Sequence, residues 1–339
     1  MSARVVAIFD KFRGTLTQSE IVESLVELSL TLGIDIDTQT VSDGGEGFAD
    51  CFSGDENEVT VSDPFGFPRR VTWKQAGERA VVEVAKVIGY GAVGSRRCPL
   101  GTSSFGVGEL LALILRSGIR DIAIGCGGSA TSDGGFGLIS ALGGRPFSEE
   151  VSVRAFVDTT SMFGHAPRVF APQKGASTVQ VALLERRFAY LDTLYKARFG
   201  GSVNECVGSG AAGGVSGALW ALGAEITMAV DSTVKSPSVA SSIAVSDLVL
   251  TGEGYFDLQS LRGKVVGAVL EASEKESKPV LVIAGDADRD MKLELQKRSP
   301  SVQVVSLVEE FGYEAAVHDT KRVLLETVAR YVTAHYGPR

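Results

Sequence analysis

The sequence predicts a two-domain α/β protein in which a mixed α/β domain is inserted into a discontinuous outer domain of parallel strands. Three observations carry this expectation. The chain has 339 residues, enough for about two domains of roughly 150 residues each. Both ends share one grammar, a short β-branched run followed by a helix-period pattern, which is how parallel α/β units read. The stretch between them departs from it, with short strand candidates separated by turn residues. The reading assigns 1–62 and 245–339 to the outer domain and 63–244 to the insertion, with no low-complexity linker or charge run at either joint.

Taking the elements in order, Val5 to Phe9 is a wholly apolar run that reads as a buried strand. Thr17 with Glu20 three residues on forms a capping-box signature, and Ile21, Val22, Leu25, Leu28 and Leu32 give the helix behind it one apolar face. Thr38 to Val41 is expected as the second strand. In the middle, Val59 to Val61, Val71 to Trp73, Val81 to Val84 and Ile122 to Ile124 read as strands, and Gly106 to Arg116 and Phe136 to Leu142 as helices. Phe156-Val157 and Val179 to Leu183 are further apolar runs. At the C-terminal end Leu248 to Leu250, Val280 to Ala284 and Val302 to Val308 are strand-like, with helical patterns at 265–274 and 315–334.

Composition removes several classes of function. Hydrophobic residues at 44% and charged residues at 22% exclude a disordered chain. A net charge of −8 leaves no basic face for a nucleic-acid backbone or an anionic membrane. Cys51, Cys98, Cys126 and Cys206 have no zinc-ligand spacing and are expected as buried, reduced thiols. The opening apolar run is too short for a signal-peptide core, and the expected location is the cytoplasm. His165, His318 and His335 are too scattered for a histidine-based triad.

The chain carries 40 glycines, well above an average share of roughly 7%. They cluster at 43–47, 127–137, 208–217 and 252–254, each close behind an apolar run. In the second cluster Gly127, Gly128, Ser129 and Thr131 precede a helix start, an arrangement that either cradles an anion or merely packs a turn. It fits neither the P-loop nor the dinucleotide fingerprint. Asp43 and Glu46 lie in the first cluster, where open α/β sheets place ligands, although a solvated acidic turn has the same composition. Arg13 is a candidate clamp for a substrate carboxylate. Lys174, in a Pro-Gln-Lys-Gly turn, is either an exposed turn lysine or a cation aimed at a phosphoryl group. Asp158 follows a strand, and Glu253, with Asp257 and Lys264 beyond it, offers a metal carboxylate and a second cation.

Together, DKFRGTL at 10–16, DGGEG at 43–47, PLGTSSFGVGEL at 99–110, GGSATSDGG at 127–135, PQKGA at 172–176, GSGAAGG at 208–214 and TGEGYFDLQSLRGK at 251–264 resemble the type I glycerate kinase family, in the right order over nearly the whole chain. The resemblance implies one flavodoxin-like domain, one resembling a restriction-endonuclease core, and an active site in the interdomain cleft. It further implies transfer of a phosphoryl group from ATP to D-glycerate, most often at the 2-hydroxyl. The chain departs from the family pattern where Asp10-Lys11-Phe12-Arg13-Gly14 replaces a DSFKG-like opening, where Ser132 replaces an asparagine, and where Asp158-Thr159-Thr160-Ser161 replaces DVTN.

On this reading Gly127, Gly128, Ser129, Thr131, Lys174 and Lys264 hold the ATP phosphates, and Arg13, Asp43 and Glu46 hold glycerate. Asp133 is the first choice for the base that takes the hydroxyl proton and Asp158 the second, with Glu253 and Asp257 on Mg2+. The expected partners are ATP, Mg2+ and the small acid, with no nucleic acid or membrane, and a homodimer is compatible with the chain. Two alternatives stay open: kinase action on the 3-hydroxyl or on another small hydroxy acid, and a small-acid binding protein on a decayed kinase scaffold.

Overall fold

The computed structural model describes residues 3–12, 14–261 and 264–336. Its strands are β1 (Arg4–Phe9), β2 (Asp35–Thr38), β3 (Asp55–Ser62), β4 (Pro68–Ala76), β5 (Arg79–Glu83), β6 (Asp121–Gly125), β7 (Ser152–Val157), β8 (Glu225–Met228), β9 (Leu248–Phe256), β10 (Val280–Ala287) and β11 (Val302–Ser306). They form a five-stranded sheet, β2-β1-β9-β10-β11, and a six-stranded sheet, β3-β4-β5-β6-β7-β8. The chain divides into two compact units, 1–42 with 230–339, and 43–229.

In the first unit every neighbouring pair of strands is parallel. Counted along this unit, the strand order is 2-1-3-4-5, the flavodoxin-like doubly wound order. β1 is apolar on both faces because both faces are covered. Val5, Ala7 and Phe9 pack with Ile21 and Leu25 on one side, while Val6 and Ile8 pack with Val266 and Val269 on the other. The helix Gln18–Leu32 starts on the expected Thr17–Glu20 capping box and stops at Gly33, which takes a left-handed conformation.

Several sequence expectations shift in this unit. The second strand is Asp35–Thr38 rather than Thr38–Val41, because Ile36 lies paired opposite Val5 and Thr38 opposite Ala7. The Asp residues on either side of Ile36 hide it from an apolar-run reading. The strand expected over 302–308 ends at Ser306, whose hydroxyl accepts from the Glu309 N–H and starts a helix at Leu307. The helix expected over 315–334 is two helices, Tyr313–His318 and Thr320–Tyr336.

In the second unit β3, β4 and β5 are antiparallel and β5 to β8 are parallel. Val82, Ile122, Ile124, Ala155 and Val157 pack against the buried face of the helix Phe105–Arg116, formed by Val107, Leu110, Leu111 and Ile114, within one core. Val81, Ala123 and Phe156 point the other way, onto Phe48 and Ala229. Sequence reading placed the domain joints at 62/63 and 244/245, whereas the compact units meet at 42/43 and 229/230. β3 pairs along its length with β4, which draws 43–62 into the second unit. At the other joint Val239 and Ile243, on the helix Pro237–Val245, pack with Val6 and Ile8 of the first.

The expectation of four buried thiols is corrected: Cys126 is buried, Cys51 and Cys206 are half-buried, and Cys98 is exposed. Among the described residues no helix is long and apolar enough to cross a membrane. Replacing Thr17 by Ala removes one half of the capping box and is expected to lower unfolding stability by about 1 kcal/mol, measured as a shifted denaturation midpoint with an unchanged m-value.

Candidate active site

The polar groups of the second unit gather where its parallel strands end. β6 runs into Gly125-Cys126-Gly127-Gly128, and the 43–47 loop lies directly on it: the Gly127 N–H donates to the Gly44 carbonyl at 2.9 Å. A Cβ on Gly127 would stand 2.6 Å from the Gly45 Cα, so the approach demands glycine. Asp43 is buried and accepts from the Gly45 N–H at 3.0 Å, while Glu46 is exposed. The loop is thereby held from outside by the Gly127 N–H and from within by the Asp43 carboxylate.

Lys174 ends a 3-10 turn, Pro172–Lys174, closed by Gly175 at φ 93°. It is not the exposed turn lysine that its sequence allowed, being only 5% exposed. Its Nζ donates to the Thr131 carbonyl at 2.6 Å and to Ser129 Oγ at 3.1 Å. Burial pulls its pKa down to about 8, against the opposing pull of the Asp133 and Asp158 charges. Thr131 Oγ1 is buried with no hydrogen-bond partner among the described residues, a state that buried hydroxyls rarely keep without a ligand or water.

The 208–214 cluster completes this wall. The segment Ala211–Ala221 begins with three consecutive left-handed residues, Ala212, Gly213 and Gly214, before it becomes helical. That turn lets the Gly213 carbonyl accept from the Gly134 N–H at 3.0 Å. It also brings the Gly213 backbone so close to the Thr131 carbonyl that a Cβ would sit 2.1 Å from it.

Asp133 is engaged by the protein itself. Its Oδ2 accepts from the Ser104 N–H at 2.7 Å, from Ser104 Oγ at 2.9 Å and from the Gly137 N–H at 3.2 Å, and its Oδ1 from the Gly135 N–H at 3.1 Å. Of the two readings left open for the helix start at Phe136, these bonds favour the packed turn at the helix end itself, because the Gly135 and Gly137 N–H groups already donate to Asp133. Asp158 follows β7 directly, is exposed, and lies close enough for its charge to act on Lys174 and Cys126. A separate cavity of about 270 Å³, lined by Leu115, Arg120, Arg145 and Phe147 among others, opens near the start of β6 rather than at these loops.

Sequence reasoning missed two residues here. Ser104 reaches Asp133 from a different loop, and only the contact reveals it. Glu83, the last residue of β5, is 2% exposed, and its Oε1 accepts from the Ala49 N–H at 2.7 Å, so it anchors the chain just after the 43–47 loop. Burial raises its pKa, opposed by the Ala49 hydrogen bond. A glutamate directly behind the apolar run Ala80-Val81-Val82 was the available signal.

In the first unit, β1 and β9 are neighbours at the point where a doubly wound sheet changes direction, the usual ligand position outside the carboxyl ends of such strands. Glu253, on β9, is 6% exposed, and its Oε1 is buried without a partner among the described residues. Burial raises its pKa, opposed by a Ser260 hydrogen bond and the Lys264 charge, while Asp10 and Asp257 add to the rise. Asp257 Oδ1 accepts from the Gln259 N–H at 2.7 Å and the Ser260 N–H at 3.2 Å. Glu253, Asp257 and Lys264 are thus one electrostatic group. Arg13 lies outside the described residues.

Comparison with known proteins supports one family. The model of the Glycerate kinase family matches residues 5–152 and 145–336. Glycerate 2-kinase of Escherichia coli is 31% identical over 329 residues, covering 85% of this chain and 86% of that one. Glycerate kinase of Bacillus subtilis is 31% identical over 328 residues, covering 85% and 86%. A crystal structure from Salmonella typhimurium LT2, of a protein provisionally named glycerate kinase 2, superposes with a TM-score of 0.76 at 26% identity over 98% of this chain and 99% of that one.

Two outcomes follow from the geometry. Gly213→Ala forces a side chain against the Thr131 carbonyl at positive φ and is expected to cost about 1–3 kcal/mol, read by chemical denaturation. For Glu253, a raised pKa means that its stabilising share is full below the ordinary carboxylate range and is lost as pH rises through the raised value. Glu253→Gln lacks that loss, so its melting temperature relative to the wild type is expected to climb between pH 4 and pH 8.

Proposed function

This chain belongs to the glycerate kinase family, and from that premise we propose that it transfers the γ-phosphoryl group of ATP to the 2-hydroxyl of D-glycerate, yielding 2-phosphoglycerate and ADP. The observation that carries the reading is the buried Lys174 ammonium set against the glycine-rich loop beside an unpartnered Thr131 hydroxyl. The name of the Escherichia coli relative supports the 2-hydroxyl.

Phosphoryl transfer asks mainly for positioning and charge neutralisation. We assign the backbone of Gly127 and Gly128, the hydroxyls of Ser129 and Thr131, and Lys174 to the phosphates, and Asp43 and Glu46, with Arg13, to glycerate. The glycerate hydroxyl oxygen attacks the γ-phosphorus, the bond to the ADP oxygen breaks, and the hydroxyl proton passes to a carboxylate. Asp158 is the better candidate for that base, because Asp133 is taken up in fixing Ser104 and the Phe136 helix start and acts as a positioning residue. Lys264 remains a candidate second cation in the first unit.

Mg2+ takes one or two carboxylates and completes its shell with water and substrate phosphates. The unpartnered buried oxygen of Glu253, with Asp257 nearby, suits such a sparse donor set. Among the described residues no three metal-ligating side chains gather. The ion, when bound, supplies neutralisation of phosphate charge.

A coupled ADP-release assay with ATP, Mg2+ and D-glycerate, followed by phosphorus NMR of the product, is expected to give 2-phosphoglycerate; a 3-phosphoglycerate signal or no ADP release would sink the assignment. Asp158→Asn is expected to lower kcat by about 10²–10⁴-fold with an unchanged melting temperature. Lys174 has a pKa depressed to about 8, so its charge disappears as pH rises through that value. kcat/KM for ATP is expected to fall there, while fold stability rises, since the unfolded lysine still holds its proton. Lys174→Met should abolish this limb of the pH profile.

A further inference from the structure

A second cation is mounted on the turn that carries Lys174, and among the described residues it serves no ion pair. Arg97 Nη1 donates to the Gln173 carbonyl at 2.9 Å, and its guanidinium lies over the Tyr90 ring, 5.2 Å from the centroid. Its stem runs close to Gly175, where an added Cβ would come within 3.0 Å of the Arg97 Cβ. Each of these supports touches the glycine-rich loop within a residue or so. Gln173 precedes Lys174, which bonds Ser129 Oγ. Tyr90 follows Gly89, which pairs with Ser129 in an antiparallel bridge, and the Ile88 carbonyl accepts from the Ala130 N–H at 2.8 Å.

An exposed arginine ordinarily samples many rotamers, and fixing one costs side-chain entropy. Here a ring face, a carbonyl and a glycine-sided channel define one orientation. One of the five N–H donors meets Gln173, and no carboxylate pairs with the group among the described residues, in a chain of net charge −8. A fixed guanidinium with donors to spare is the geometry that binds phosphate oxygens bidentately.

We propose that Arg97 is a phosphate-binding residue for the nucleoside triphosphate, gripping its terminal phosphates at the Gly128–Thr131 loop beside Lys174, with Tyr90 and Gln173 as its positioning residues. The inference rests on the kinase reading for the identity of the nucleotide. It adds a planar guanidinium, able to bind two phosphate oxygens at once, to the point charge of Lys174.

The test is calorimetric titration of full-length wild type, Arg97→Met, Arg97→Lys, Tyr90→Phe and Tyr90→Ala with ATP, ADP and AMP in Mg2+, alongside steady-state kinetics. Arg97→Met is expected to weaken ATP binding by about ten- to a hundredfold, the scale of a charged hydrogen bond. It should leave AMP binding and the KM for glycerate unchanged, and Arg97→Lys should recover part of the loss. Tyr90→Ala should raise the KM for ATP without moving the KM for glycerate, and Tyr90→Phe, which keeps the ring, is expected to recover most of that rise. Equal ATP affinity in Arg97→Met and wild type overturns the proposal, as does an equal loss for ATP and AMP, and with glycerate turnover intact the kinase reading survives either result. Wild type that binds ATP and fails to phosphorylate glycerate, with the Arg97→Met loss still seen, removes the acceptor assignment and leaves Arg97 in place. Wild type that binds no ATP overturns both.

Discussion

An ammonium taken out of water costs several kcal/mol unless the protein supplies acceptors and opposing charge. Lys174 is met by the Thr131 carbonyl and Ser129 Oγ and sits in the field of Asp133 and Asp158. The rest of the second unit's loop architecture follows from that requirement. The Thr131 carbonyl must turn inward, Gly213 must pass close behind it with no side chain, and the turn carrying the lysine must be short and rigid. Asp133 fixes the far end of the same loop by holding Ser104 and the first N–H groups of the next helix.

The two sheets solve one problem in related ways. Parallel strands covered on both faces must be apolar throughout, so polar function is displaced to the loops beyond their carboxyl ends. Asp10 follows β1 and Asp158 follows β7, Glu83 closes β5, and Glu253 lies where β9 has run past β1. Glu83 shows how a buried acid at such an end acts on main chain rather than on solvent. It anchors the Ala49 N–H and therefore the segment leading out of the 43–47 loop.

What could be read without coordinates was whatever the sequence encodes locally. The Thr17–Glu20 capping box, the doubly buried β1 and the helix at 105–116 depend on near neighbours and emerge within a residue or two of their expected bounds. The glycine clusters and the lysine in its turn were also visible, because their composition is unusual. What depends on distant partners was not. Ser104 lies 29 residues from the carboxylate it binds. β2 is disguised by its alternating aspartates. The joint after residue 42 is set by a hairpin partner that no boundary signal announces. Asp133 ranks ahead of Asp158 on paper, and the four donors that converge on its carboxylate from Ser104, Gly135 and Gly137 are invisible there.

The meeting of Gly44, Gly45 and Gly127 on one side, and of Gly134, Gly213 and Gly214 on the other, makes the wall of the site out of main chain. Main-chain atoms are common to every amino acid, so the shape of this wall is indifferent to most substitutions nearby and intolerant of any at the glycines themselves. Such a site has little room to drift by gradual change of side chains. New acceptor preferences on this scaffold have to arise from side chains at its rim, where the exposed Glu46 stands, and a library confined to such positions samples specificity without disturbing the main-chain wall.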